Sequence, residues 1–477
     1  MTQQQLQCCQ DQEEKNTIFK FKLFMNKLYS LVLMAACIPF ISNAQEAKPF
    51  TIATLDPGHF HAALVQKTMY PNVSKDVYVY AKPSADLDMH LKRISDYNNR
   101  KDNPTAWNEV LYTGDDFFDK MIADKKGNIV MLSGNNEKKS EYILNSLQKG
   151  FHVLADKPMA IDEKGFEKIK KSFAVAKQNK LQLYDIMTER FEVTTVLQRL
   201  FSQMPEIFGK LENGTKEHPA IEKKNVHLLY KMVSGNVLTR PEWFMDINKQ
   251  GEGIADVMTH MTDLVQWEAY PDQVLDYHKD IQILDANHWP TMLSLKQFNT
   301  LTHATQFPDY LAKNVVHDTL LKYYCNGDIL YKLKNTYVKT TTLWNYASED
   351  GSGDTYEAFM KGTKSTLIVK QGKAESFKPI LYIAPKKDDA QFEQNIQAAV
   401  KKLQASYEGL TTTKTKEGWR IDVPAKYREG HEEHFARVVQ HYLGYLQNNN
   451  MPAWEVPNML AKYYTTTKAL TLAQSKK

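Results

Sequence analysis

The sequence predicts an α/β fold joined to an α+β one: a doubly wound parallel sheet in the N-terminal part and an open, mostly antiparallel sheet in the C-terminal part. Three observations predict it. From residue 50 to about residue 190, short apolar runs alternate with helix-like runs, the βαβ rhythm that lays strands parallel with helices on both faces. Beyond that point the rhythm gives way to strand formers in which polar and apolar residues alternate, as suits antiparallel strands with one covered face. Helical patterns then close the chain over residues 428–449 and 458–472.

Taken in order, residues 1–44 have the layout of a secretory signal. Lys20, Lys22 and Lys27 precede an apolar run over residues 28–41, and Ser42, Asn43 and Ala44 supply small residues before Gln45, the arrangement of a cleavable segment. The run is short of the roughly 20 residues that cross a bilayer as a helix. Export, to a periplasm, followed by cleavage is therefore predicted, with no membrane span. The residues before Met25 lie far upstream of this signal, so the true start is expected near residue 25. A lipoprotein anchor at Cys37 is the alternative; Met34 and the apolar residues after Cys37 suit it less well.

Cleavage would remove Cys8, Cys9 and Cys37 and leave Cys325 alone. No intramolecular disulfide is then possible, and an exported chain must rely on its core. The segment carries four basic and three acidic residues, so the net charge moves from +4 only to +3. That balance is too even for a nucleic-acid or membrane-surface binder.

In the N-terminal part, residues 50–55 (FTIATL), 77–81 (VYVYA), 128–132 (NIVML), 150–155 and 181–186 read as buried strands, with helices over residues 62–69, 138–147 and 162–178. The turn after the first strand is Asp56-Pro57-Gly58-His59-Phe60-His61. In such a context a Gly-rich turn holds a dinucleotide diphosphate at a helix N-terminus. Here only Gly58 is kept of the three glycines, and the second strand ends in Lys82 where an acidic residue usually meets the adenosine ribose. His59 and His61 are read as polar surface residues or loop anchors. Their H-x-H spacing can ligate metal, but with no Cys or further His nearby in sequence no metal is expected.

The stretch GFHVLADKPMA, residues 150–160, ends its strand on Asp156 and Lys157 before Pro158. In open α/β sheets the ligand crevice lies beyond the carboxyl ends of the strands, where Lys157 and the polar turn at residues 133–136 (SGNN) would meet. In the second part, residues 251–267 (GEGIADVMTHMTDLVQW) read as one helix with an apolar stripe and a separate stripe of Asp256, His260, Asp263 and Trp267. A solvated face would carry Lys, Glu and Gln instead. Strands are predicted at residues 226–232, 329–338 and 356–369. His431 and His434 are read as surface or cap residues.

The order of these segments resembles the Gfo/Idh/MocA oxidoreductases: a strand and modified Gly turn, then VMLSGNNEKKSEYILNSLQKGFHVLADKPMA, then GEGIADVMTHMTDLVQW. Members of that family have a Rossmann domain with an E-K-P motif and a C-terminal domain with a D-x-x-x-H-x-x-D helix. The tail segments GHEEHFARV and PAWEVPNMLAKYY resemble an exported bacterial branch. The resemblance implies a signal segment at 1–44, a dinucleotide-binding Rossmann domain at 45–190, a substrate-binding and oligomerisation domain at 191–427 and C-terminal helices at 428–477 packing back on the body. It implies NAD or NADP as cofactor, a sugar, glycoside or cyclitol as substrate, and a homo-oligomer paired through the open sheet. Lys157 is then the catalytic lysine, with Asp256 and His260 as acid/base and substrate-binding pair and Asp263 and Arg190 as further substrate contacts. Asp56, Gly58, His59, His61, Lys82, Ser133, Asn135, Asn136, Asp156 and Lys157 would meet the dinucleotide. Asp156 stands where the family has Glu, and Asp56 and His61 where it has Gly.

Hydride transfer from a carbinol carbon needs a base on the hydroxyl, a donor to its oxygen and close positioning. Lys157 would donate, and His260 would take the proton with Asp256 or Asp263 orienting it. For Lys157 to relay a proton near neutrality its pKa would have to fall by about 3 units. Free NAD(H) is not obviously supplied outside the cytoplasm, so a cofactor held through turnover is expected. The product would be a 3-keto glycoside, or the step would assist glycoside cleavage. The alternative is a non-catalytic exported carbohydrate-binding protein that retains the fold.

Overall fold

The computed structural model describes residues 50–233, 236–348 and 353–476; the predicted signal at 1–44 lies outside them. The first six strands are β1 (Ile52–Leu55), β2 (Asp76–Ala81), β3 (Asn108–Thr113), β4 (Ile129–Leu132), β5 (His152–Asp156) and β6 (Leu183–Ile186). They form one parallel sheet in the order β3-β2-β1-β4-β5-β6. β1, β4 and β6 are buried along their whole length, as expected of strands covered by helices on both faces. The order reverses between β1 and β4, and a crevice opens at such a switch point. Asp56, Ser133 and Lys157 follow β1, β4 and β5 directly.

Three elements between residues 82 and 127 carry no clear signal in the sequence: the helices Ala85–Asn99 and Phe117–Asp124, and β3. The reason is physical. β3 is an edge strand with no buried residue, and the helix Ala85–Asn99 buries only Leu87, His90 and Ile94. The helix expected after β1 is a five-residue turn, His61–Val65.

The second sheet runs, in spatial order, Ile281–Ser294, Leu320–Leu333, Thr336–Asn345, Ile221–Leu228, Thr355–Lys361, Ser365–Gln371, Ile380–Pro385, Gly418–Asp422 and Thr411–Thr415, with Val315–Val316 beside the second of these. Among the described residues of this second sheet only Thr336–Asn345 and Ile221–Leu228 pair in parallel. Two of the predicted strands cross turns. The run 329–338 is broken at Lys334, where φ is +53°, and the run 356–369 turns through residues 362–364. Continuous β-formers hide the first turn, whose residues are Lys334 and Asn335 rather than Pro and Gly; the second carries only Gly362 as a turn signal. The strand predicted at 226–232 lies earlier, at Ile221–Leu228.

The C-terminal helices His431–Asn448 and Glu455–Ser475 return to the first domain. Phe435, Val438, Val439, Tyr442, Met459 and Tyr463 belong to the same apolar core as β1 to β6. Pro457 sits in the first turn of the last helix, where proline costs no intrahelical hydrogen bond. Among the described residues no helix is long and apolar enough to cross a membrane.

Candidate active site

The site lies where β1, β4 and β5 end and the Gly-rich segment of the second domain arrives. The predicted helix over 251–267 is shorter than expected: it runs Met258–Ala269, so Asp256 sits in the turns that lead into it. The glycines set that approach. A Cβ on Gly253 would lie 1.9 Å from the Cys325 carbonyl oxygen, and one on Gly327 would lie 2.5 Å from Ile254. Only glycine at both positions lets the segment settle on the strand Leu320–Leu333, and so aims Asp256 at the crevice.

There Lys157 Nζ lies 2.5 Å from Asp256 Oδ1, an ion pair joining the two domains. The other Asp256 oxygen accepts from Gln250 Nε2 at 2.8 Å. Burial pulls the Lys157 pKa down, but Asp256, Asp156 and Glu189 outweigh it and hold the ammonium above its ordinary value. The expected fall in pKa is therefore reversed in this arrangement, and the cause is Asp256. Lys157 is a charged donor at neutral pH.

His260, on the first turn of the helix Met258–Ala269, has its pKa pushed well below the ordinary value by burial and then by Lys157 and His431. Its Nδ1 is buried without a hydrogen-bond partner. Neither Asp256 nor Asp263 orients it, contrary to expectation, because both carboxylates are engaged elsewhere.

Asp263 and Arg190, expected to meet substrate, are instead bound to each other. Arg190 Nε and one Nη reach the two Asp263 oxygens at 2.7 Å each, and its other Nη reaches Glu455 at 3.0 and 3.1 Å. Lys462 Nζ completes the network, 2.8 Å from Asp263 and 2.7 Å from Asp185. These side chains spend their polar atoms on one another.

On the first domain's side, Asp56 has φ +48°, a left-handed geometry that explains why a glycine is usual there and why Asp can replace it. Its carboxylate accepts from Asn135 Nδ2 at 3.1 Å. Gly134 lets the two turns touch: a Cβ there would lie 2.7 Å from the backbones of Gly58 and His59. The amides of Gly58 and His59 both donate to the Ser133 carbonyl, at 2.9 and 3.3 Å. Trp243 packs against Gly58 while its Nε1 donates to Asp86 at 2.7 Å. Lys82 is outside this cluster, exposed and paired with Asp115 at 2.8 Å.

Asp156 is buried and accepts from Ser133 Oγ at 3.1 Å, and its Oδ2 lies 3.0 Å from His61 Nδ1. His61 is thus buried against Asp156, a loop anchor rather than a surface residue of the two readings the sequence offered. Lys139 Nζ donates to the Asp156 carbonyl at 3.0 Å. Two further groups border the site: Glu189, which the sequence did not single out, and His431, read there as a surface or cap residue. Glu189, just beyond β6, has its pKa pushed up to about 7 by burial and by Glu192. His431, which opens the helix His431–Asn448, lies with its Nε2 3.3 Å from Thr188 Oγ1 and 3.9 Å from Glu189; its side chain stays 44% exposed, and its pKa is lowered by partial burial and by the nearby His61 and His434. Glu189 carried a usable signal, a polar turn at a strand's carboxyl end. His431 carried none, because its partners are some 240 residues distant in sequence.

The nicotinamide end of a dinucleotide fits these residues. The side-chain carbonyl oxygens of Asn135 and Asn136 are buried without partners, acceptors suited to a carboxamide N–H beside Lys157. The diphosphate end would rely less on turn amides, which Ser133 already occupies, and more on the groove beside Gly58, lined by Arg93 and Arg240 among others.

Two family models match the chain: "Oxidoreductase family, NAD-binding Rossmann fold" over residues 78–185 and "Putative oxidoreductase C terminal domain" over residues 197–474. A crystallised "putative oxidoreductase" from Parabacteroides merdae is 52% identical, with a TM-score of 0.88 over 90% of this chain and 98% of that one. The chain is also similar in fold to a 3-ketoreductase from Actinomadura kijaniata in complex with NADP and TDP-benzene, at 11% identity and TM-score 0.54 over 89% and 98%. A levoglucosan dehydrogenase in complex with NADH and levoglucosan matches at 10% identity and TM-score 0.57 over 90% and 98%. No curated protein matches by sequence. With a parallel sheet in Rossmann order, a lysine at the end of β5 and matching models across both domains, the chain belongs to the Gfo/Idh/MocA family of NAD-binding oxidoreductases.

Proposed function

We propose that the protein oxidises or reduces a hydroxyl-bearing carbon of a sugar or glycoside, using NAD or NADP. The observation that carries this reading is the Lys157–Asp256 pair at 2.5 Å, with a neutral His260 beside it whose Nδ1 has no partner. Bound nicotinamide supplies the hydride acceptor or donor. In the oxidation direction His260 takes the hydroxyl proton as the hydride leaves the carbon. Lys157 donates a hydrogen bond to the same oxygen and stabilises the negative charge that develops on it. Asp256 keeps that ammonium charged and aimed. The named activities of the two distant fold neighbours, a 3-ketoreductase and a levoglucosan dehydrogenase, support a carbohydrate substrate and a 3-keto glycoside as product. With the signal-like residues 1–44, the reading includes export to the periplasm and a dinucleotide held through turnover.

The test is a panel of glycosides assayed with added NAD(P)+ and by mass spectrometry for keto products, alongside calorimetric titration of NAD(H) and NADP(H). Saturable dinucleotide binding with no oxidised or reduced sugar in any combination would exclude the activity. A second reading, a carbohydrate-binding protein without redox turnover, is favoured by the engagement of the Gly58 and His59 amides with Ser133. Sugar binding without dinucleotide binding would establish it.

A further inference from the structure

His59 and His61 leave β1 on one turn, and Asp156 ends β5; the structure brings them to one point. One ligand atom from each lies within 4.8 Å of the other two. His61 Nδ1 is 3.0 Å and His59 Nδ1 is 3.9 Å from the same Asp156 oxygen. A tetrahedral zinc ion with bonds of about 2.0–2.1 Å sets its ligand atoms about 3.4 Å apart, and the two separations straddle that value. The imidazole rings stand at 84° with centroids 4.1 Å apart, so both can turn an edge to a common centre without stacking.

A hydrogen-bonded pair accounts for His61 and leaves His59 weakly held. At 3.9 Å its Nδ1 is beyond hydrogen-bond range of Asp156, and it accepts one long hydrogen bond, 3.4 Å, from the His61 amide, which a bound ion would displace. The surroundings are those of a supported ligand. Ser133 Oγ holds the Asp156 carboxylate at 3.1 Å and Lys139 holds its carbonyl at 3.0 Å. The His431 ring stands 5.8 Å from that of His61. Asp256 neutralises the nearby Lys157.

We propose that His59, His61 and Asp156 form a three-ligand site for a borderline divalent transition ion, zinc foremost, whose fourth position is left to water or another oxygen ligand. Three protein ligands with one open position is the arrangement of a catalytic zinc site. The absence of a metal expected from the sequence rested on there being no third ligand nearby; the fold supplies it from 95 residues away.

The test uses the full chain without an affinity tag, stripped with a chelator and checked for retained fold by circular dichroism. Titration with ZnCl2 should show one saturable equivalent, and Co2+ substitution should give the visible d–d bands of a four-coordinate site. His61→Ala and His59→Gln should abolish the equivalent. Ser133→Ala should weaken it on the order of 10-fold, as loss of a ligand's outer partner does. His218→Ala, in an exposed turn, should leave it unchanged. His59 is partly exposed, so His59→Gln decides the matter if His61→Ala does not fold. No saturable uptake by the folded native chain, or uptake unaltered in His59→Gln, would overturn the site.

Discussion

Two clusters of charge sit close together in this molecule and draw on the same helix, Met258–Ala269, and its approach. In one, Arg190, Asp263, Glu455, Lys462 and Asp185 satisfy each other through bidentate and bridging contacts, with Tyr184 and Tyr463 donating to the outer carboxylates at 3.1 and 2.8 Å. In the other, the Lys157–Asp256 pair is left beside His260, whose Nδ1 lacks a partner, and Glu189, whose pKa is raised to about 7. The difference lies in what is left over. A closed network fastens three parts of the fold together; an open one keeps proton donors and acceptors in reserve. Perturbed, incompletely satisfied groups in a crevice are the mark of a functional site, whereas buried charge with full pairing is a structural one.

The comparison breaks most sharply at Lys157. Replacing it with Ala should lower turnover by about 10²–10⁴-fold while leaving dinucleotide binding measurable by calorimetry; unaltered turnover would place the chemistry elsewhere. Arg190→Met should do the reverse. It strands buried carboxylates, at a cost of about 3–5 kcal/mol, read as a lower denaturation midpoint. A raised KM with no loss of stability would return Arg190 to the substrate.

Two smaller effects sharpen the contrast. Glu189 changes ionisation near pH 7, so a rate profile with a limb there should lose it in Glu189→Gln; a limb that persists belongs to another group. His260 is held neutral, with its folded pKa well below that of the unfolded chain. Below about pH 6.5 the unfolded state takes up a proton that the folded state refuses, so stability falls with falling pH, by at most about 1.4 kcal/mol per pH unit. His260→Asn should remove that part of the slope in acid denaturation.

Much of the fold was legible because buried parallel strands announce themselves. Apolar runs such as residues 129–132 (IVML) end on polar turns, and the glycines at 251 and 253 marked the second domain's approach. The edge strand β3 and its flanking helices were not legible, since elements that bury little need little apolar pattern. In the site, Lys157 could be singled out by its place at a strand's end. The parting of Asp256 from Asp263 could not. One helical stripe assigned both to substrate, yet Asp256 precedes the helix and faces Lys157, while Asp263 faces Arg190 and Lys462. Periodicity tells which residues share a face, not which neighbours that face will meet. Nor could it join His431 to Thr188, or Asp156 to His61, across such separations.

The return of the last two helices to the first domain also sets a timetable for synthesis. The six parallel strands are complete at Ile186, but Phe435, Val438, Tyr442 and Tyr463 of the same core are made only later. At about 5–20 residues per second, the ribosome reaches Tyr463 roughly 15 to 55 s after Ile186. During that interval the nascent first domain presents a bare apolar face, a substrate for chaperones. A chain terminated before residue 431 would carry that face permanently and aggregate, with every residue of β1 to β6 intact.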